Sequence, residues 1–265
     1  MRGAGLLQRQ RDRLQRRARG QHVVDHRDPP AGQAVHDVAG EDPRLCPQAQ
    51  RAIPPPGTRG PRIALPDLAR LLHLSAGVTR STTGPDAQPT YFRAAMSAGN
   101  LHPLEVYVVC GPMEGLGAGV YHFAPLDHRL DRLRSSDERA FLARAVATTG
   151  DGLPALSLVI TGIPWRAAWK YGERAWRHLY WDAGTLVANL VAAAEGAHLP
   201  TRVLTGFVDD EVARLVGVDG IAELPLVVVE LGAREPVDAP RAGAALAALS
   251  ADCAPLSPHP FVLPL

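Results

Sequence analysis

The chain has 265 residues, which is enough for one sizeable domain with its own core but too few for two full domains. Its formal net charge of +1 gives no broad electrostatic case for nucleic acid or an acidic membrane as the main partner. No run of 18 or more apolar residues is present and the amino terminus lacks a signal-peptide core, so the sequence predicts a soluble, cytoplasmic protein that binds a small molecule or a peptide.

Residues 1–62 are rich in arginine, glutamine, proline and histidine and show no sustained helical or strand period. Proline runs at residues 29–30 and 54–56 interrupt any long element. We expect a poorly ordered or atypical extension here and one domain over residues 63–265. A basic arm that grips a peptide or nucleic acid is the alternative for the extension.

The domain is expected to open with a helix, because leucine recurs at positions 65, 68, 71 and 72 after an early proline. This helix should end near Gly77, where glycine supplies a left-handed cap. A loop of threonine, glycine, proline and aspartate should then run to Tyr91.

Strands are predicted where β-branched and aromatic residues dominate, at residues 104–110, 119–123, 156–162 and 224–231. The last of these is continuously apolar, which favours a central position in the sheet. Helices are predicted by apolar periodicity at residues 138–148, about 172–197, and 209–216. Interleaved strands and helices indicate an α+β or α/β domain with three layers.

Cysteine usage predicts no metal site and no disulfide framework, since Cys46, Cys110 and Cys253 are far apart in sequence. Cys110 ends an apolar strand pattern and is expected to be a small core residue.

Lys170 is the only lysine in a chain whose other basic side chains, histidine apart, are arginine. Arginine serves at least as well where a position needs positive charge and bidentate bonding, whereas a group that must exchange a proton favours an amine. Lys170 is therefore a candidate for chemistry. A surface charge with no special role is the alternative, and this observation alone does not separate the two.

A loop of small residues at positions 93–103 precedes the first of these strands. Gly99 lets the backbone approach a bulky planar ligand, while the Ser97 hydroxyl and the Asn100 amide can hydrogen-bond ligand heteroatoms. Such a loop is by itself a weak signal, and a simple turn is the alternative.

The run from residue 97 to residue 107 resembles the flavin-binding segment of the SagB/ThcOx-type dehydrogenases of the nitroreductase superfamily, with Met96 standing where that family usually has proline. Residues 119–123 are similar to the family's next strand. The resemblance implies an α+β, nitroreductase-like α-β-α domain with a mixed central sheet, and FMN as the cofactor. It implies FMN contacts for Ser97, Ala98, Gly99 and Asn100.

A second segment, residues 169–178, resembles the Lys-Tyr motif of the azoline oxidases in the same family. There the pair lies over the flavin and acts in removing a proton from the substrate ring. The resemblance and the lone lysine meet at one residue, so Lys170 and Tyr171 are the candidate catalytic pair.

A third segment, the loop after the long helix, closes over the flavin in the family, which implies flavin contacts for Thr205 and Gly206. The family's arginine and serine motif for the flavin phosphate cannot be placed in this sequence, and Arg93 and Arg234 are the candidates for that contact. The long helix resembles the family's dimer-forming helix. Its residues Asp182, Gly184 and Asn189 are therefore interpreted mainly as packing residues, and a homodimer is expected.

The resemblance spans residues 63–232 and implies an FMN-dependent dehydrogenase or oxidase that converts a thiazoline or oxazoline ring to an azole in natural-product biosynthesis. The substrate would be a small molecule or a modified peptide, and a cyclodehydratase is a candidate partner. The alternatives are an NAD(P)H-dependent nitro or quinone reductase and a scaffold subunit without flavin.

Overall fold

The computed structural model describes residues 62–83, 88–148 and 152–235. The extension predicted for residues 1–62 lies outside the described part of the chain except for Arg62, and so do Cys46, Cys253 and the residues from 236 onward. The division into an extension and a domain therefore stays a prediction.

Helices and strands alternate along the described residues. The helices are α1 (Leu65–Ala76), α2 (Arg139–Ala145), α3 (Trp165–Tyr171), α4 (Ala175–Gly196) and α5 (Asp209–Val216). The strands are β1 (Val78–Thr83), β2 (Pro89–Arg93), β3 (Leu104–Cys110), β4 (Gly119–Ala124), β5 (Arg129–Arg134), β6 (Leu153–Gly162), β7 (Thr201–Leu204) and β8 (Leu224–Glu235). Short 3₁₀ helices occupy Ala98–Asn100 and Gly172–Arg174.

Six strands form one sheet in the order β5-β4-β3-β6-β8-β7, and each neighbouring pair is antiparallel. The predicted α+β class is confirmed, but the predicted mixture of parallel and antiparallel pairs is wrong for the described strands. The helical crossover that follows β6 leads to β7, and β8 lies between these two strands. Parallel strands are therefore present but are not neighbours.

Helices cover both faces of this sheet, which confirms the three-layer arrangement. On one face, α1 and α4 pack on side chains such as Val108 and Leu158. On the other face, α2 and α5 pack on Tyr107 and Val159. These two residues are next in sequence to Val108 and Leu158, and successive side chains of a strand point to opposite faces of the sheet. β3 is buried along its whole length, and Cys110 at its end is a free thiol in the core, as predicted.

The predicted loop up to Tyr91 differs from the structure, in which β1 and β2 form a separate antiparallel pair. Most side chains of this pair are exposed, so the sequence lacks the apolar alternation that indicates a strand. α1 ends at Ala76 as predicted, but Gly77 has an extended backbone with φ −67° and not the left-handed conformation expected of it.

The long helix predicted for about residues 172–197 is confirmed as α4, although it begins a few residues later, at Ala175. The short helix α3, which was not predicted, ends at Tyr171, so the chain breaks between the two helices. Gly172 makes the break with φ 55° and ψ −137°, a backbone conformation that side chains disfavour. Lys170 and Tyr171 therefore end a short helix of their own. Among the described helices, none combines the length and the apolar character that a membrane span requires.

Candidate active site

The candidate site lies at the end of the sheet where β3 begins and β6 ends. Leu104 pairs with Gly162 across the two strands, and the Ile163 N–H donates to the Pro103 carbonyl at 2.8 Å. The loop before β3 and the helix after β6 consequently start side by side. Antiparallel pairing thus brings together two motifs that are about 70 residues apart in sequence.

Lys170 and Tyr171 lie against Gly99. A Cβ atom added to Gly99 would lie 2.6 Å from Lys170 Nζ and 2.6 Å from Tyr171 Oη, so only glycine leaves room for both groups. Lys170 Nζ lies 5.4 Å from the centre of the Tyr171 ring. The structure therefore brings the first and second predicted segments into one place.

The loop from Ser97 to Pro103, called the Gly99 loop below, has an unusual backbone. Gly99, Asn100 and His102 have φ angles of 62°, 57° and 46°, in the left-handed region that non-glycine residues rarely adopt. Asn100 Nδ2 donates to the Tyr91 carbonyl at 2.9 Å, and Asn100 Oδ1 lies 2.8 Å from His102 Nε2. Strained backbone held by surrounding bonds is common at functional sites.

Asp182 of α4 anchors the start of the Gly99 loop. The Ser97 hydroxyl donates to Asp182 Oδ2 at 2.6 Å, and the Ala98 N–H donates to Oδ1 at 3.1 Å. Burial raises the pKa of Asp182, against the effect of these bonds. Asp182 was interpreted mainly as a packing residue, although a carboxylate beside the apolar stripe of α4 is a signal that it has a polar partner.

Ser97 and Asn100 use much of their hydrogen-bonding capacity within the protein. The Ser97 hydroxyl donates to Asp182 and accepts the His102 N–H at 2.9 Å, and both polar ends of the Asn100 amide have protein partners. In the structure both side chains shape the loop. Their contacts with FMN stay a prediction.

His178 of α4 supports Tyr171 and was not found from the sequence. The two ring centres lie 4.3 Å apart with an interplanar angle of 41°. The His178 side chain is buried, and its Nε2 atom has no hydrogen-bond partner among the described residues. A histidine in the helix after a Lys-Tyr motif gives no distinct sequence signal, because its contact with Tyr171 depends on the break at Gly172.

Ionisable side chains are buried beneath the Gly99 loop. Arg166 Nη1 donates to Glu105 Oε1 at 2.5 Å and to the His102 carbonyl at 3.2 Å, while His122 Nε2 lies 2.8 Å from Glu105 Oε2. Burial alone would raise the pKa of Glu105, but Arg166, His122 and Arg93 outweigh it and hold that pKa well below its usual range. Glu105 therefore carries a negative charge at neutral pH.

The two arginines considered for the flavin phosphate have protein partners. Arg93 donates to the Leu104 carbonyl at 3.2 Å, and burial lowers its pKa to about 10, against the effect of Glu105. Arg234 pairs with Glu230 and donates to the Thr148 and Gly152 carbonyls at 3.0 and 2.7 Å.

Arg234 also lies far from the Gly99 loop. It pairs with Pro154 at one end of the β6–β8 ladder, whereas Gly162 pairs with Leu224 at the end near the loop. That separation corresponds to about 25 Å along the strand at ~3.3 Å per residue. Within one chain, the structure does not bring Arg234 to the candidate site.

Thr205 and Gly206 are exposed and follow β7 at the edge of the sheet. β7 is three strands away from β3, or about 14 Å at ~4.8 Å per strand. Apart from its neighbours in the chain, no described residue has an atom within 4 Å of the position where a Gly206 Cβ would be, and Phe207 packs against the core on the α2 and α5 face. One chain thus brings together two of the three predicted segments.

The described residues contain no group of three or more His, Cys, Asp or Glu side chains that could hold a metal ion. Burial raises the pKa of the Cys110 thiol to about 11, which keeps it protonated and unreactive at neutral pH.

Three sequence relatives match between about half and two thirds of the chain. The microcin B17-processing protein McbC of Escherichia coli is 31% identical over 145 residues, 51% of this chain and 52% of the relative. The trifolitoxin-processing protein TfxB of Rhizobium leguminosarum bv. trifolii is 31% identical over 139 residues, 49% of this chain and 36% of the relative. A Methanocaldococcus jannaschii protein named a nitroreductase is 26% identical over 171 residues, 64% of this chain and 81% of the relative. The chain thus spans about half of McbC and about a third of TfxB.

Solved structures share the fold. A protein from Anabaena variabilis described as a nitroreductase matches with a TM-score of 0.59 and 28% identity, over 72% of this chain and 44% of that one. The E. coli microcin synthetase McbBCD complex, with truncated pro-MccB17 bound, matches with a TM-score of 0.57 and 23% identity, over 81% of this chain and 80% of that one. The second match is evidence for the fold alone.

A family model agrees with these relatives. The model described as the Nitroreductase family matches residues 60–233, which include the Gly99 loop and the Lys-Tyr pair. This match confirms the resemblance found in the motifs, and the two peptide-processing relatives support its SagB/ThcOx-type branch. The chain is therefore an oxidoreductase that belongs to the Nitroreductase family.

Proposed function

We propose that this chain is an FMN-dependent dehydrogenase that oxidises a thiazoline or oxazoline ring to the azole in the biosynthesis of a peptide natural product. The observation that carries the proposal is the convergence of Lys170 Nζ and Tyr171 Oη on Gly99. An amine and a phenol over a glycine-bearing loop suit proton removal beside a planar cofactor. The names of McbC and TfxB, which process microcin B17 and trifolitoxin, support a peptide substrate.

The residues present fit the ring of a flavin. The Gly99 loop uses its polar side chains to hold its own shape, so it offers mainly backbone to a planar ligand, and Lys170 and Tyr171 supply polar atoms beside it. The phosphate contact is not assigned, because Arg93 and Arg234 are bonded to protein groups. We assign the ring contacts to residues 97–100 by the family resemblance.

Azole formation removes a hydride and a proton from the substrate ring. FMN, when bound, supplies the acceptor for the hydride. Lys170 Nζ takes the ring proton, and Tyr171 Oη, held beside it by the Gly99 loop and His178, orients the amine or the ring by hydrogen bonding. Lys170 is exposed in the single chain, so its action as a base depends on the substrate, the cofactor or a second subunit covering it.

The protein is proposed to act as a cytoplasmic homodimer joined through α4, with a cyclodehydratase as a partner that supplies the azoline. Tyr180 and Trp181 of α4 are each 56% exposed in the single chain. Large exposed aromatic side chains on one helix indicate a surface that binds another protein.

The absorption spectrum of the purified protein and one substitution test this proposal. We expect a yellow protein with a flavin band near ~450 nm, and conversion of an azoline-bearing peptide to the azole with loss of two hydrogens by mass spectrometry. Lys170→Ala should keep its FMN and lose turnover by about 10²- to 10⁴-fold, the usual contribution of a general base. Arg177→Ala, an exposed residue of the same segment, serves as the matched control.

Three results would contradict the proposal in different ways. Full turnover by Lys170→Ala would remove the catalytic assignment. Rapid bleaching of the flavin by NADPH without azoline oxidation would favour a nitro or quinone reductase, and the Methanocaldococcus relative is named a nitroreductase. A colourless protein that takes up no FMN would favour a scaffold subunit.

A further inference from the structure

The buried ionisable side chains beneath the Gly99 loop have no role in the proposed mechanism. Glu105, Arg166 and His122 are 5%, 4% and 9% exposed, and each comes from a different element: β3, α3 and β4. Groups of this kind are costly to bury. Their position at one end of the sheet therefore calls for a reason.

Arg166 connects α3, which carries Lys170, with the Gly99 loop and β3. Its Nη1 atom donates to Glu105 Oε1 at 2.5 Å, near the start of β3, and to the His102 carbonyl at 3.2 Å, in the Gly99 loop. Arg166 also stands one helical turn before Lys170, on the same side of α3. One guanidinium thus connects the loop that carries Gly99, the strand beneath it and the helix that carries the lysine.

Stability alone does not account for this pair. Loss of solvation offsets much of the attraction between buried charges, and apolar residues of similar volume often stabilise a core as well or better. Arg166 Nε is buried with no partner among the described residues, which adds a further cost. A planar guanidinium does provide what an apolar side chain cannot, namely bonds of fixed direction to several groups.

We propose that Arg166 and Glu105 are positioning residues for Lys170 and Tyr171. They fix the separation of α3 from the Gly99 loop, so that Lys170 Nζ and Tyr171 Oη stay over Gly99. Only the effect on turnover rests on the proposed function. The positioning itself is a property of the chain alone.

The chain offers a matched control at the other end of the sheet. Arg139 is also buried and ion-paired, with its Nη2 2.7 Å from Asp137 Oδ2 and its Nη1 3.0 Å from the Pro154 carbonyl. Pro154 lies at the end of β6 remote from the candidate site. Arg166→Gln and Arg139→Gln each remove one buried charge, but only the first breaks the connection to α3.

The reactivity of Lys170 measures its position without cofactor or substrate. Since Lys170 is the only lysine, peptide mass spectrometry follows its acylation by acetic anhydride as a single modified side chain in the full-length protein. We expect Arg166→Gln to raise the acylation rate several-fold, because the amine leaves its contact with the Gly99 loop. Arg139→Gln should leave the rate at the wild-type value.

Turnover gives the second readout. Arg166→Gln should lower kcat by about 10²-fold with little change in KM, because a displacement of about 1 Å between reacting groups costs this much. Arg139→Gln should have a thermal midpoint similar to that of Arg166→Gln but keep the wild-type kcat. Glu105→Gln keeps the size of the side chain and an acceptor for Arg166, and it replaces Arg166→Gln in both measurements if that variant does not fold.

Equal changes in Lys170 acylation for the Arg166 and Arg139 variants would overturn the positioning role. So would a folded Arg166→Gln variant with wild-type acylation and kcat. If the wild-type protein oxidises no azoline, the proposed function fails, while the acylation measurement still decides the positioning role.

Discussion

Gly99 is the residue at which the two motifs meet. Its φ of 62° favours glycine, and the atoms that an added Cβ would approach most closely, Lys170 Nζ and Tyr171 Oη, are the ends of flexible side chains. The fold can therefore accept a methyl group by moving these ends. The candidate site cannot accept this movement without losing activity, because the displaced atoms are the ones proposed to handle the proton.

Replacement of Gly99 by alanine should separate activity from stability. We expect Gly99→Ala to lower the free energy of unfolding by only about 1–2 kcal/mol, the cost of a left-handed backbone for an L-residue, and to lower turnover by about 10²-fold. Urea unfolding and azoline oxidation check the two effects. Gly117→Ala is the control, since the nearest atom of the described residues to an added Cβ there is Tyr121 Oη, at 3.8 Å. Full turnover by Gly99→Ala would contradict the role of the loop.

Glu223 is a buried carboxyl group near the same network. Its Oε1 atom accepts bonds from Tyr107 Oη at 2.7 Å and from Thr161 Oγ1 at 2.6 Å. Burial, with a further contribution from Glu105, raises the pKa of Glu223 above its ordinary value of 4.5. Because the pKa of Glu223 is higher in the folded than in the unfolded protein, the protonated carboxyl group favours the folded state. This contribution to stability is fully present at a pH below the pKa of the unfolded state and is lost as the pH rises through the pKa of the folded state.

Glutamine at this position should remove that pH dependence. We expect Glu223→Gln to become more stable relative to the wild type as the pH rises from about 4 to about 8, measured by urea unfolding. Asp219→Asn is the control of opposite sign, because backbone bonds from Ile221, Glu223 and Ala222 outweigh burial and lower the pKa of Asp219. Asp219→Asn should lose most stability at the higher pH, and parallel pH profiles for the two variants would refute both assignments.

At the scale of elements, buried segments were predictable and exposed ones were not. The sequence pattern predicted α1, β3, β4, β8 and α5 close to their observed bounds, because burial imposes an apolar period on each. β1, β2 and β5 were missed, since none shows a regular apolar alternation: β1 is almost wholly exposed, β2 is mostly half-buried, and β5 is buried only at its end. Helix α3 was missed as well, because its 7 residues are too few to show a clear apolar period.

The candidate site was predictable only where its residues lie in local motifs. Gly99 and Lys170 were singled out from the sequence itself and again by the family resemblance, which added Tyr171, and the structure brings the three together. Asp182 and Arg166 could not be assigned, because their bonds to Ser97 and Glu105 join residues 85 and 61 positions apart. Those contacts depend on the register of β3 with β6, which no short motif encodes.

At the scale of the whole molecule, three large apolar or aromatic side chains are exposed on and beside α4. Tyr180 and Trp181 of α4 are each 56% exposed, and Met96, beside the Gly99 loop, is 77% exposed. The Thr185 hydroxyl donates to the Met96 carbonyl at 3.0 Å, so Met96 lies against α4 near these aromatic residues. A patch of this kind next to the candidate site is typical of a surface that a second subunit covers.

The proposed homodimer predicts a specific effect of substitution in this patch. The wild type should have twice the mass of the chain by light scattering, and Trp181→Glu should weaken the dimer by about 10²-fold, since a buried tryptophan at an interface contributes at least ~2 kcal/mol. Ile221→Glu is the control, because Ile221 is 59% exposed but lies in the segment before β8. If the second subunit also covers Lys170, Trp181→Glu should lose FMN as it becomes monomeric. A monomeric wild type, or equal weakening by both variants, would show that α4 does not form the interface.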